Sequence, residues 1–280
     1  MAEPPIDSLQ GSLFKWIEKE ALLSQGIDLA IVLAAGEGTR MKSSLAKVLH
    51  PIAGTSVIHH VLNAVTPVAK EVAVVVGAHR EEVESHLAHI APEAKRTFQA
   101  ERNGTGHAVQ LALADSTASG RVLVVAGDTP LLRTSTLKEF VEAHDEYESV
   151  ASVLTALLPD PFGYGRIVRD ELGAVVKIVE ERDADDEEKL IDEINTGVYI
   201  FDIATLREAS AQLTSNNSQG ELYLTDVIAL VRESGKVAVA IQSNDYTETL
   251  GINDRSQLAE CAGIMRDRIN DEHMRNGVTI

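Results

Sequence analysis

The sequence predicts an α/β fold: a doubly wound sheet, parallel in its first half, with an antiparallel portion in its middle and a C-terminal helix after it. Three observations predict it. Apolar runs dominated by Val, Ile, Leu and Ala recur at 29–33, 72–76 and 121–125, the pattern of strands buried on both faces. Segments with helical spacing follow the second and third of them, at 80–90 and 134–147, and such alternation builds crossovers and parallel pairing. From 163 to 201 the pattern changes to short runs between turns, at 165–168, 175–180 and 197–201, which read as antiparallel strands.

Residues 1–27 stand apart as an N-terminal extension. Pro4 and Pro5 open it, and Leu9, Leu13, Trp16, Ile17 and residues 20–23 are spaced as an amphipathic helix ending near Gly26, expected to pack on the domain or on a partner. The main domain covers 28–252. Its strand 29–33 runs into Ala34, Ala35, Gly36 and Gly38, its strand 72–76 ends at Gly77, and 121–125 ends in Ala126, Gly127 and Asp128. Residues 150–158 read as a strand, 221–232 as a helix and 237–242 as the last strand. The arm 253–280 opens on one helix, 253–273, capped by Asn253 or Asp254. Ligands of open α/β sheets bind beyond the carboxyl ends of strands, and Gly36 and Asp128 both fall there.

Composition excludes several functions. The 280 residues, 44% hydrophobic and 24% charged, suit one large or two small domains with a substantial core. Aromatic residues make up 4%, so the core rests on Val, Ile, Leu and Ala. The formal net charge of −18 gives no general affinity for nucleic acid or an anionic membrane. An anionic substrate therefore needs local cations, for which Arg40, Lys47 and Arg166 are the candidates. The acidic run 183–188 reads as a solvated loop or a helix start. A single cysteine, Cys261, excludes an intrachain disulfide and a cysteine-based metal site; in a helix it is expected to be a small buried apolar residue. With no run long enough to span a bilayer and no signal-peptide pattern, the expected compartment is the cytoplasm. His50, His59, His60 and His107 lack metal-ligand spacing; His59 and His60 straddle a helix face and His107 reads as structural.

The chemistry is concentrated at 31–40, Ile-Val-Leu-Ala-Ala-Gly-Glu-Gly-Thr-Arg, followed by Lys47. Small residues let a ligand approach the backbone, glycine opens backbone angles that other residues resist, and successive free N–H groups in such a turn bind anions. With Arg40 and Lys47 on the same side, the segment reads as a site for the phosphates of a nucleotide. A dinucleotide fingerprint fails, since its third glycine position is Met41, and a P-loop fails for want of Gly-Lys-Ser/Thr. Asp128, after a buried strand and a glycine, suits a hard cation beside bound phosphates, and equally a helix N-cap or a turn. Residues 98–108 form a second glycine turn before a helix. The Gln99 amide there could read a base edge, with backbone at Gly104 and Thr105 close to the base. Taken alone, this is also an ordinary strand–loop–helix junction. Gly163-Tyr-Gly-Arg, Glu180 and Asn195-Thr-Gly offer the directional hydrogen bonds that sugar hydroxyls demand, each a weak signal by itself.

Taken in order, Leu-Ala-Ala-Gly-x-Gly-Thr-Arg-Met, Lys-Val-Leu-His, Gly-Thr-Gly-His-Ala, Gly-Asp-Thr-Pro-Leu, Gly-Tyr-Gly-Arg-Ile, Ile-Val-Glu, Glu-Ile-Asn-Thr-Gly, Asn-Asn, Glu-Leu-Tyr-Leu-Thr-Asp and Gly-Ile-Asn-Asp-Arg closely resemble one family. It is the N-terminal uridylyltransferase domain of the bacterial bifunctional enzymes that make UDP-N-acetylglucosamine, within the sugar-nucleotide pyrophosphorylases. The resemblance covers about residues 28–275. It implies a Rossmann-like fold of the nucleotide-diphospho-sugar transferase type. It also implies Mg²⁺-dependent uridylyl transfer from UTP to N-acetylglucosamine 1-phosphate, with release of diphosphate, for cell-wall precursor synthesis. By motif, Leu33, Ala34, Ala35, Gly36, Ala126 and Gly127 would line the nucleotide, Arg40 would hold its β and γ phosphates and Lys47 the reacting phosphate. Gln99, Gly104 and Thr105 would read uracil, Asp128 and Asn253 would hold Mg²⁺, and Gly165, Glu180 and Asn195 would hold the sugar. The expected mechanism is in-line attack on the α-phosphorus, with the protein supplying position and charge.

Two rivals stand beside this reading: a pyrophosphorylase for another sugar 1-phosphate such as glucose 1-phosphate, and a non-catalytic sugar-nucleotide binding domain. Arg40, Lys47, Asp128 and Asn253 together argue against the second, since a binder has no need of metal ligands. Two departures from the family pattern matter. Ala46 precedes Lys47 where the family has proline, which is expected to loosen the loop presenting the lysine. The relatives continue into a left-handed β-helix that transfers acetyl groups and forms a trimer, and this chain ends where that domain would begin, as a piece of a longer enzyme or as a single-domain form. The expectation is no acetyl transfer, and a monomer or weak dimer.

Overall fold

The computed structural model describes residues 26–280; the helix expected in the N-terminal extension lies outside them. In chain order the elements are β1 (Ile27–Ala34), the hairpin β2 (Pro51–Ile52) and β3 (Thr55–Ser56), α1 (Val57–Val65), β4 (Ala69–Val76), α2 (Arg80–Ile90), β5 (Lys95–Phe98), α3 (Thr105–Ala114), β6 (Arg121–Ala126), α4 (Thr134–Glu146), β7 (Ala151–Leu157), β8 (Arg166–Arg169), β9 (Val175–Val179), β10 (Glu193–Asp202), α5 (Ile203–Ser210), α6 (Asp226–Glu233), β11 (Ala238–Gln242) and α7 (Arg255–Arg275). Among the described residues, nine strands form one mixed sheet in the order β11–β7–β10–β6–β1–β4–β5, with β8 and β9 attached through β10. β1 pairs in parallel with β4 on one side and β6 on the other, while β10 runs antiparallel to β6 and β7. From β1 the chain winds outward through β4 and β5, then returns to place β6 on the opposite side. A crevice opens where the winding reverses, at the carboxyl end of β1. The predicted α/β class, the parallel first half and the antiparallel middle are all present.

The two-residue period of the strands sorts the core into layers. Leu29 and Ile31 of β1 face Val109 and Leu113 of α3, Leu206 of α5 and Val227 of α6. Ala30 and Val32 face the other way, toward Ile58 and Val61 of α1, Leu87 of α2 and Phe140 of α4. These side chains are fully or almost fully buried, each burial stabilising by about 1.5–3 kcal/mol for the larger ones. A third cluster joins Met41, Ile52, Val57 and Leu131 to Ile252, Cys261 and Met265. It seats α7 against the loop that follows β1, and Cys261 is buried there as the sequence predicts.

Several boundaries differ from the sequence reading, each for a local reason. The last helix begins at Arg255 because Asp254 is its N-cap, accepting from the backbone N–H groups of Ser256 and Gln257, both at 2.9 Å; Asn253 stays outside it. The helix expected from 221 begins at Asp226, since residues 221–224 are tied to the second glycine turn. Leu222 N–H donates to the Asn103 carbonyl at 2.8 Å and Gly106 N–H to the Leu222 carbonyl at 2.8 Å. The strand expected over 197–201 is the end of the longer β10. In the acidic run, Asp183 is held by Ser218 N–H at 2.8 Å, and Asp185 accepts from Glu187 and Glu188 N–H at 2.9 and 2.8 Å. Arg166, expected as a substrate cation, is 2% exposed and ion-paired with Glu181 at 2.8 Å, so it serves the fold of the antiparallel part.

His144, on the last turn of α4, locks that helix to β7. Its Nδ1 lies 2.7 Å from Ser152 Oγ and 2.9 Å from Ser149 Oγ. Burial, aided by the charge of Arg121, holds its pKa down to about 4 from 6.5. The unfolded chain therefore binds the proton better, so the His144 contribution is present above pH 6.5 and fades as pH falls toward 4. It amounts to about 3 kcal/mol over that window. His50 and His86, also held low by burial, act in the same direction. Urea unfolding across this range should show the fall, and His144→Gln should be less stable at neutral pH with a shallower pH dependence; an equal slope in the variant would refute the assignment.

Candidate active site

The cleft lies beyond the carboxyl ends of β1 and β6 and has a volume of about 430 Å³. Leu33, Ala34, Ala35 and Gly36 line one side of it. The turn after β1 then coils into a short 3₁₀ segment, Thr39–Met41, with Gly38 at φ 62°. A Cβ at Gly38 would stand 2.6 Å from the Cβ of Lys47, so only glycine allows the turn to pack on the lysine-bearing loop. Ala46 does not loosen that loop. Its φ of −54° is within the range that a proline ring imposes, it is buried, and its carbonyl accepts from Leu49 N–H at 2.9 Å.

Lys47 forms an ion pair with Asp128 and lies 3.4 Å from Asn253 Oδ1. The Lys47 and Asp128 side chains are 14% and 19% exposed, so the pair is only partly screened by water. Three distant segments meet here for identifiable reasons. Gly127 N–H donates to the Leu33 carbonyl at 2.9 Å, which sets Asp128 beside the end of β1, and Ile252 N–H donates to the Asp128 carbonyl at 2.9 Å, which brings Asn253 alongside. Asp128 and Asn253 present two hard oxygen donors to a cation. Among the described residues no group of three or more His, Cys, Asp or Glu could hold a metal. A divalent ion would therefore complete its shell with water and substrate phosphate, the habit of Mg²⁺, and the donor set fits it.

The second glycine turn forms the opposite wall. Gln99 is buried and donates through Nε2 to the Gly104 carbonyl at 3.0 Å. Gly104 adopts φ 96°, and a Cβ there would meet the Leu222 carbonyl oxygen at 2.5 Å. Thr105 Oγ1 accepts from Leu224 N–H at 3.0 Å. The far end is formed by Glu180, Asn195 and Gly197. Asn195 sits at a register shift in β10 and accepts from Gly197 N–H at 3.0 Å. Burial raises the Glu180 carboxyl pKa above the ordinary range, Asp226, Asp183 and Glu221 push the same way, and the Thr225 hydroxyl at 3.2 Å opposes them. Tyr199, stacked on Phe201 at 5.6 Å, closes the floor.

Of the residues singled out from sequence, Leu33, Ala34, Ala35, Gly36, Lys47, Gln99, Gly104, Thr105, Ala126, Asp128, Glu180 and Asn195 line this one cleft. Gly127 sits between two of them, and Asn253 touches Lys47. Gly165 lies behind the lining, its carbonyl accepting from Asn195 N–H at 2.8 Å. Arg40 is exposed, outside the lining, and without an ion-pair partner among the described residues. The sequence reading missed Glu37, Arg102 and the wall formed by Glu221, Leu224 and Thr225. Glu37 between two glycines was a visible signal. The wall became visible only once 221–224 were seen bonded to the second turn.

A doubly wound sheet with a glycine turn at its crevice is an architecture that nucleotidyl-transfer domains use. The family model of the MobA-like NTP transferase domain matches residues 30–192, and the chain belongs to that family. More particularly, it is 50% identical over 253 residues to the bifunctional protein GlmU of Lactococcus lactis subsp. cremoris (strain SK11), covering 90% of this chain and 55% of that protein. It is 48% identical over 251 residues to the bifunctional protein GlmU of Streptococcus gordonii, covering 89% and 54%. The chain thus spans about half the length of the curated relatives it matches. A solved structure of UDP-glucose pyrophosphorylase complexed with UDP-glucose superposes with a TM-score of 0.68 at 18% identity, over 86% of this chain and 99% of that one, which shares the fold.

Two glycines of the cleft, Gly104 and Gly36, differ in what they tolerate. Gly104→Ala should destabilise the protein by at least about 2 kcal/mol, from a backbone region closed to alanine and a clash with Leu222. Gly36→Ala, where a Cβ meets nothing within 4 Å, should cost about 0.5 kcal/mol or less. Urea midpoints of the two variants check the contrast, and equal losses would contradict it.

Proposed function

We propose that this domain transfers a uridylyl group from UTP to N-acetylglucosamine 1-phosphate and releases diphosphate, with Mg²⁺ as its metal. The observation that carries the reading is the meeting of Lys47, Asp128 and Asn253 beside the glycine turn. The order of the sequence motifs, with 50% identity to a bifunctional GlmU, supports the choice of base and sugar. The single, buried thiol suits the cytoplasm.

In this reading an oxygen of the sugar phosphate attacks the α-phosphorus in line, and the bond from that phosphorus to the oxygen of the leaving diphosphate breaks. No protein nucleophile is needed; the Cys261 thiol, pushed up to about 12 by burial, is unsuited to be one. The backbone of Leu33, Ala34, Ala35 and Gly36 runs along the nucleotide, with Ala126 and Gly127 across from it. Lys47 turns from Asp128 to the reacting phosphate and meets charge that grows during transfer. Arg40, unpaired and exposed, takes the β and γ phosphates. Asp128 and Asn253 would hold Mg²⁺, which when bound neutralises charge on phosphate oxygens. Gln99, its amide N–H given to Gly104, offers its carbonyl oxygen to the N3–H of uracil, a proton that cytosine lacks. Glu180 and Asn195 bond the sugar hydroxyls, with Gly165 supporting Asn195.

Diphosphate release on mixing UTP, Mg²⁺ and N-acetylglucosamine 1-phosphate tests the activity. Greater turnover with glucose 1-phosphate would reassign the sugar, and binding without release would make the domain a silent binder. Lys47→Ala should lower turnover at least tenfold, since a charge-assisted contact contributes about 1.5–3 kcal/mol; weaker UTP binding at unchanged turnover would place Lys47 in ground-state binding instead. Asp128→Asn should abolish most activity at ordinary Mg²⁺ with the fold retained, and a chelator should silence the unmutated protein; full turnover in either case would remove the metal assignment.

A further inference from the structure

Two charged residues on the rim of the cleft have no part in the reading above. Glu37 is the one side chain between Gly36 and Gly38, in the middle of the turn to which the proposed function gives the phosphates. Arg102 stands on the second glycine turn, between Gln99 and Gly104. Their side chains meet across the cleft at 2.6 Å, 54% exposed for Arg102 and 41% for Glu37, and neither has another ion pair among the described residues. So exposed a pair contributes little to folding. Its location is what counts. A carboxylate inside an anion-binding turn repels a polyphosphate, and in a chain of net charge −18 the surrounding field does not offset that repulsion.

We propose that Arg102 is a positioning residue for the nucleotide: it neutralises Glu37 and holds that carboxylate off the polyphosphate, so that the turn can receive a nucleoside triphosphate. This rests on the assignment of the cleft to a nucleotide. The contact also links the glycine turn after β1 to the second glycine turn across the cleft. Arg102 acts through Glu37, and its effect belongs to nucleotide binding more than to the chemical step.

The test is a mutant cycle read by isothermal titration with UTP and by the split between KM and kcat. Arg102→Gln leaves Glu37 bare and should weaken UTP about three- to fivefold at low salt, the size of one partly screened charge interaction, with the loss falling on KM. Arg102→Lys should keep most of the affinity. Arg102→Gln combined with Glu37→Gln should recover wild-type affinity, because the repelling charge is gone, and the Arg102→Gln effect should shrink at high salt. A double variant as weak as Arg102→Gln would mean that Arg102 grips the nucleotide directly, and unchanged UTP binding in Arg102→Gln would give it no role; either overturns the proposal. If the unmutated protein bound no nucleoside triphosphate, the assignment of the cleft would fail with it, an outcome distinct from both.

Discussion

Leu33 and Ala126 are paired in register at the carboxyl ends of β1 and β6, and Gly127 N–H extends that ladder by one more bond to the Leu33 carbonyl. A Cβ at Gly127 would stand 2.8 Å from that carbonyl oxygen, so the approach depends on glycine. The cleft is built outward from this junction. One strand releases the first glycine turn, the other presents Asp128, and the two leave the sheet side by side. Parallel pairing makes both chain exits point the same way, and the reversal of winding at β1 keeps helices out of the gap between them.

The rest of the site is attached by a small number of backbone bonds. The Asp128 carbonyl holds Ile252 and thereby Asn253, and the apolar cluster of Met41, Leu131, Ile252 and Cys261 fixes α7 behind them. On the opposite side, the two bonds between the second glycine turn and Leu222 hold residues 221–224 as a wall. Antiparallel β10, interrupted at Asn195 and Gly197, turns polar groups into the crevice that a regular strand would have kept in the ladder.

In a chain of net charge −18, each cation at the cleft is set by its local partners. Here most of them come with a carboxylate. Lys47 is paired with Asp128, Arg102 with Glu37 and Arg166 with Glu181. Burial decides what each pair is for. Arg166, nearly inaccessible, is committed to the fold, since removing one partner of a buried pair strands the other charge. Lys47 and Arg102 line the cleft, the first in a half-buried pair and the second in an exposed one, so neither is committed to the core as Arg166 is. Arg40 alone among these stays exposed and without an ion-pair partner among the described residues.

The strands of the parallel half were legible because apolar runs ending in glycine are dictated by burial on both faces, a local property of the chain. So were the glycine turn at 36–38, Lys47, Asp128 and Gln99, whose residue types carry their chemistry with them. The sequence by itself therefore determined the fold class, the glycine turn after β1 and most of the residues that line the cleft. It did not reveal that Arg166 is buried against Glu181 or that Glu37 meets Arg102, because both pairs join residues brought together by the sheet. It overextended the helix after 221, because helical spacing continues through residues whose backbone bonds are drawn off by Asn103 and Gly106. Which cations face the cleft, which wall closes it and where Asn253 stands were decided only by tertiary structure, since each depends on contacts between segments 15 to 206 residues apart, beyond the reach of any local pattern.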